Sequence, residues 1–199
     1  MINSKEHLSN YIQRFGTLTE SETCEFVECF EESKIKKRQF IVQPNFFTKH
    51  RNFVFEGAFR SYVIGDNGNE NTISFAIEDW WITDYNSYIY QQLSTMFVIA
   101  LEDSTILRLS IEKEIELKKA NHKFETIFRV MAERGLAFQQ RMMIANLTLS
   151  AEERYDNFMS KYANVAQRLP QYALASYLGM SPEFLSKIRN NKVKNTQKS

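Results

Sequence analysis

Residues 173–191 read ALASYLGMSPEFLSKIRNN, and how this stretch is parsed decides the fold of the chain. Ala173, Leu174, Tyr177 and Leu178 recur at helical spacing and share one face. Gly179 follows, a residue suited to the left-handed conformation in which helices commonly end. Ser181, Pro182 and Glu183 then form a start signal. The serine caps orphan N–H groups, the proline fits the first helical position, and the glutamate sets negative charge at the positive end of the dipole. Leu185 and Ile188 point toward a core, whereas Glu183, Ser186, Lys187, Arg189 and Asn190 face outward. Two short helices meeting at a glycine make a helix-turn-helix pattern. The same residues also fit an αα-hairpin with a solvated polar face.

Charge separates this end from the rest. Residues 151–199 carry eight Lys/Arg against four Asp/Glu, although the whole chain has a formal charge of only +1. After Glu183 there is no acid, while Lys187, Arg189, Lys192, Lys194 and Lys198 follow. A basic C-terminal unit on a mildly acidic body points to a polyanion partner for that unit alone; a helix-turn-helix there would make that partner double-stranded DNA. A length of 199 residues suits one large domain or two small ones, and 43% hydrophobic with 25% charged residues is ordinary globular composition. No apolar run reaches membrane-span length and MINSKEHLSNYIQRF lacks a signal-peptide core, so a cytoplasmic location and no membrane partner are expected. Cys24 and Cys29 are spaced too widely for a redox pair and are too few for an iron–sulfur cluster; buried or idle thiols are expected.

Working toward the N-terminus, Ser150 and Glu153 open a helix as a capping box, and Thr19 and Glu22 open another before Phe26, Val27 and Phe30. From about residue 34 the period falls to two, in KRQFIVQPN, FVFEGAFRSYVIG and TISFAI, with GDNGNE at 65–70 as a tight hairpin. Further strands are expected at 96–100 and 105–109, giving a small antiparallel sandwich or barrel. After Ile111 the helical period returns. Phe124, Phe128, Met131, Gly135, Phe138, Met142 and Ala145 are separated alternately by four and three residues, the heptad pattern of a coiled-coil seam. Gly135 would let two helices approach closely, at about 1 kcal/mol of helix propensity. A helix packed on its own β-domain would show the same stripe; flanking Lys, Glu, Arg and Gln favour pairing of two chains. The expected organisation is a β-domain at 1–111, a dimerisation helix at 112–149 and a basic helical domain at 150–199.

That order of parts, with FVFEGAFRSYV at 53–63, ALEDSTILRLS at 100–110 and LASYLGMSPEFLSKIRNN at 174–191, resembles the cyclic-AMP receptor/fumarate–nitrate regulator (Crp/Fnr) superfamily over nearly the whole chain. The resemblance implies an α+β fold: an N-terminal antiparallel jelly-roll domain of cyclic-nucleotide-binding type, a long dimerisation helix and a C-terminal helix-turn-helix domain. It implies a homodimeric transcription regulator that meets RNA polymerase. In that family a Gly-Glu pair, a short helix and an Arg-Ser pair hold the cyclic nucleotide. Here Ile82, Thr83 and Asp84 stand in the first place and Ser94 and Thr95 in the last. No Lys or Arg occurs between Arg60 and Arg108, and Glu78, Asp79 and Asp84 add negative charge. A buried phosphate needs a fixed cation, so cyclic AMP is not expected as effector and no cofactor is expected. Trp80, Trp81, Asp84, Tyr85, Tyr88, Ser94 and Thr95 either line a pocket for another small-molecule effector or fill the void left by a lost one.

By position the resemblance carries base reading to Pro182, Glu183 and Lys187, with Ser181 as cap. Glu183 can accept from cytosine N4 and Lys187 can donate to guanine. Ser186, Arg189, Asn190 and Arg168 are candidates for phosphate contact and secondary readout. NKVKNTQKS at 191–199 is too short and polar for the family's wing; as a flexible tail its lysines, Lys192 first, would contact phosphate. His7, His50 and His122 are scattered, without the context of a haem or metal site. Nothing resembles a Ser–His–Asp set, a phosphate-cradling glycine loop or paired carboxylates, so no enzymatic activity is expected.

Overall fold

A computed structural model describes residues 3–196. Eight strands form two four-stranded sheets: β1 (Glu31–Ile35), β8 (Ser104–Ser110), β3 (His50–Glu56) and β6 (Trp81–Ile82) in one, β2 (Phe40–Val42), β7 (Phe97–Ala100), β4 (Phe59–Ile64) and β5 (Glu70–Ala76) in the other. This is jelly-roll order, and β8 pairs antiparallel with both β1 and β3. The period of two sorts the side chains. Val54 and Ile106 turn inward with Ile35, Val42, Phe59 and Val98, whereas Phe53, Leu107 and Leu109 turn outward onto helices. The strand at 31–35 escaped the sequence pattern because EESKI hardly alternates; its ladder to β8 defines it.

Two glycines are demanded by geometry. At the β3–β4 corner Gly57 has φ +110, and a Cβ there would fall 2.1 Å from Ser104 Oγ. In the GDNGNE hairpin, Gly65 N donates to Asn69 O at 2.9 Å and Gly68 takes φ +77. The loop of this tight hairpin therefore has three residues ending in a left-handed glycine.

Helices α1 (Ser4–Ile12) and α2 (Glu20–Glu28) cover the outer face of the first sheet, packing Leu8, Ile12 and Phe26 against Phe53 and Leu109. Both capping boxes form, Thr19 with Glu22 and Ser150 with Glu153. Cys24 is exposed and Cys29 half-buried, so burial does not explain either thiol.

The expected single helix at 112–149 is two: α4 (Ile111–Ala120) and α5 (His122–Thr148). Asn121 is extended between them (φ −151, ψ 124) because its side chain accepts from Lys123 N at 3.0 Å, capping the second helix. Its Nδ2 also donates to Glu22 at 2.9 Å, and Lys123 holds that carboxyl down to about 2. The heptad stripe divides as well. Phe124 and Phe128 are buried against Phe26 in the chain's own core and Met131 packs beside them, so these three do not form a free seam. Apart from the backbone of its own helix turn, no atom of the described residues lies within 4 Å of a would-be Cβ at Gly135.

Two compact units result: Met1–Ser61 with Phe75–Ala137, and Tyr62–Ser74 with Phe138–Ser199. In the second unit, α6 (Ala151–Ala166), α7 (Gln171–Tyr177) and α8 (Pro182–Thr196) bury Tyr155, Phe158, Ala173, Leu174, Leu178, Leu185 and Ile188. Ser176 of α7 binds the hairpin in this unit, accepting from Thr72 N at 2.8 Å and donating to Glu70 O at 3.0 Å.

Candidate nucleic-acid interface and cassette

The turn between α7 and α8 is built as its sequence demands. Met180 N donates to Ala175 O and Gly179 N to Ser176 O, a Schellman closure with Gly179 at φ +66. Arg154 of α6 locks it: Nε donates to Leu178 O at 2.8 Å and Nη1 to Leu149 O at 2.7 Å. Ser181 Oγ accepts from Phe184 N at 3.2 Å, and Pro182 occupies the first helical position. Buried Leu185 and Ile188 then fix which side of α8 faces out.

That outward side carries Glu183, Lys187, Asn190 and Lys194, at intervals of four, three and four residues. All four are exposed. Lys187 and Arg189 have no ion-pair or hydrogen-bonding side-chain partner among the described residues. The backbone N–H of Glu183 and the Ser181 hydroxyl hold the Glu183 carboxyl below its usual range, so it is an acceptor at neutral pH. Arg168 lies just before α7 and is half-buried. Two candidates have other engagements. Ser186 Oγ accepts from Gln171 Nε2, and Lys192 Nζ pairs with Asp156 at 2.7 Å. The stretch expected as a flexible tail is helical through Thr196, which carries Lys192 and Lys194 on α8 itself; Lys198 lies outside the described residues. No strand follows α8 among the described residues, so no wing is seen there.

Sequence reasoning missed Phe184, whose ring is 40% exposed on the first turn of α8. Gln171 and Arg154 were missed too, since nothing local signals a side chain that acts on a turn many residues away.

The cassette place in the β-domain is closed by its own residues. Asp84 caps α3 (Tyr85–Tyr90), accepting from Asn86 N at 3.0 Å and Ser87 N at 3.1 Å. Its second oxygen accepts from Ser94 Oγ at 2.6 Å. The residues standing where the family's ligand-binding glutamate and serine stand thus satisfy each other. Tyr88, also buried, donates to Glu114 Oε2 at 2.7 Å, and burial pushes its phenol up so that it remains a donor. Arg51 Nη2 donates to the same carboxylate at 2.8 Å; its Nε lies 2.6 Å from Oε2 as an ion pair without hydrogen-bond alignment, and the guanidinium lies 5.3 Å from the Tyr85 ring and 5.4 Å from the Tyr88 ring. Lys118 adds a third contact at 2.7 Å. Trp81 is packed on Phe30 and Phe53, Trp80 sits against the inter-sheet core, and Thr95 is exposed. Trp80, Trp81 and Tyr88 are thus packed into the protein, while Tyr85 is 43% exposed. The buried Arg51–Glu114 pair had no local signature, because its partners lie 63 residues apart.

No protein-family model and no curated protein matches the chain. Its structure is similar to FixK2 from Bradyrhizobium japonicum, with TM-score 0.72 and 15% identity over 84% of this chain and 86% of that one. It is similar to the c-di-GMP responsive global regulator CLP from Xanthomonas campestris, with TM-score 0.69 and 12% identity over 89% and 93%. A transcriptional regulator of the Crp/Fnr family from Eubacterium rectale aligns with TM-score 0.66 and 16% identity over 89% and 85%. With a jelly-roll domain, a connecting helix and a helix-turn-helix in that order, the chain has the fold of the Crp/Fnr transcription regulators.

Proposed function

We propose that the chain is a homodimeric, sequence-specific DNA-binding transcription regulator that does not respond to cyclic AMP. The observation that carries this reading is the outward stripe of α8, where a capped and pinned helix presents Glu183, Lys187 and Asn190 to solvent. In a major groove Lys187 donates to guanine, Glu183 accepts from cytosine, and Phe184 meets a thymine methyl. Arg189, Lys194 and Arg168 supply phosphate contacts; Lys192 would first have to release Asp156.

Dimerisation falls to α5. Leu136, Met143 and Leu147 recur at intervals of seven and four residues, and together with Ile144 they are exposed. A second copy of α5 covers that stripe, with Gly135 beside it and Phe138, Met142 and Ala145 at its margin. Two chains so paired set their recognition helices in successive major grooves, about 34 Å apart. RNA polymerase at a promoter is the partner such a dimer would meet. The cyclic-AMP part of the reading is supported by the Asp84–Ser94 bond and by the pairing of Arg51 and Lys118, the cations beside the cassette helix, with Glu114.

The test is fluorescence anisotropy with duplex DNA across a salt series. Affinity should fall linearly with the logarithm of salt and be unchanged by cyclic AMP, and Lys194→Ala should lower the slope by about one. No affinity for duplexes at any salt would assign the fold instead to a ligand-binding or protein-interaction module.

A further inference from the structure

A cavity of about 370 Å³ opens between the strands of the β-domain, and no residue of α3 lines it. Its volume lies within the range of small-molecule sites, about 300–1,000 Å³. His50 and Asn52 of β3 and Ile106 and Arg108 of β8 alternate onto the inward face of their sheet and form one wall; β2 forms the other. No Asp or Glu contributes to the lining, while Lys49, His50 and Arg108 do.

Four features of this cavity point to a ligand. Arg108 Nη2 lies 3.0 Å from His50 Nδ1, and among the described residues no carboxylate is within ion-pair distance of the guanidinium. Thr48 is only 6% exposed, yet its hydroxyl has no hydrogen-bond partner among the described residues. A buried hydroxyl of this kind is ordinarily satisfied. At the rim, Phe46 and Phe47 are 66% and 52% exposed, two adjacent aromatic rings left in water. Finally, burial and the Arg108 charge hold the His50 imidazole below its ordinary range, with Lys49 acting in the same direction and Glu31 and Glu112 opposing it.

We propose that this cavity binds a small organic carboxylate with an apolar body, its charge on Arg108 and His50 and its body under Phe46 and Phe47. The planar fork of an arginine matches a carboxylate with two parallel hydrogen bonds. The ligand's second polar atom meets the Thr48 hydroxyl, while Ile35, Val42 and Ile106 receive its apolar part. The site belongs to the β-domain and holds whether or not the chain binds DNA.

The experiment titrates the full chain with benzoate, octanoate, neutral benzamide and inorganic phosphate, by calorimetry and by the NMR signal of the His50 ring. Benzoate or octanoate should saturate one site with a dissociation constant of roughly 1 mM or tighter and raise the midpoint of the His50 titration. Benzamide should bind at least about tenfold more weakly. Arg108→Gln should lose about tenfold or more, and Thr48→Val, which keeps shape and burial, should weaken binding in a chain that still folds. Three results would overturn the proposal: no saturable binding by either carboxylate, equal binding of benzamide, or affinity unchanged in both variants. Saturation by inorganic phosphate alone would overturn the apolar body and leave a simple oxyanion site. Repeating the DNA titration with carboxylate present reads regulation separately from occupancy.

Discussion

Around α3 the polar side chains end on one another; on the outward side of α8 they end in solvent. Asp84 holds Ser94 and the first turn of its helix, and Tyr88, Arg51 and Lys118 share Glu114. On α8, Lys187 and Arg189 have no partner among the described residues. Both helices have well-made starts, yet the polar side chains around one are engaged within the fold and those on the outward side of the other are exposed. Buried polar groups must be satisfied internally, because no water reaches them. Exposed charges carry no such demand, and weak surface pairing leaves them available.

The largest expected effect breaks the inward side of this contrast. Glu114→Ala leaves Arg51 buried without its carboxylate and should cost about 3–5 kcal/mol, read as a fall in the urea midpoint. Replacing Arg51 and Glu114 together by Met and Leu should cost far less, since both charges leave at once. On the outward side, Lys187→Ala should leave stability within about 0.5 kcal/mol and reduce discrimination between duplexes by about 1–3 kcal/mol, measured by competition binding. Asp84→Ala removes a cap and the bond to Ser94, whose hydroxyl keeps its bonds to Met96, for a loss of about 1–2 kcal/mol in thermal unfolding. Smallest, Gly135→Ala meets open space in its own chain, so helix propensity should stabilise an isolated protomer by up to about 1 kcal/mol. If two α5 helices approach closely at Gly135, the same change should weaken the dimer in sedimentation experiments.

Much of this was legible in the sequence because it is local. The Thr19 and Ser150 capping boxes, the Gly179 turn, the Ser181 start and the buried Leu185 and Ile188 each depend on residues within a few positions. The order of domains was legible for the same reason, as a change of period from two to helical. The rest depends on distance along the chain. Whether Phe124 faces a second copy or its own core is settled by Phe26, almost a hundred residues earlier, and not by heptad spacing. Asn121 breaks the long helix through a cap and a bond to Glu22, which periodicity does not register. On α8, the exposure of Lys187 could be read from helix phase alone, whereas the engagements of Ser186 with Gln171 and Lys192 with Asp156 required three-dimensional partners.

The central claim is that α8 reads duplex DNA from a dimer. It is tested most directly by selecting bound sequences from a random duplex library at physiological salt, where screening is realistic. The account predicts enrichment of a two-fold symmetric site whose half-sites are centred one helical turn apart, lost or relaxed in Lys187→Ala. Retention of DNA without any sequence preference, or of none, would contradict it.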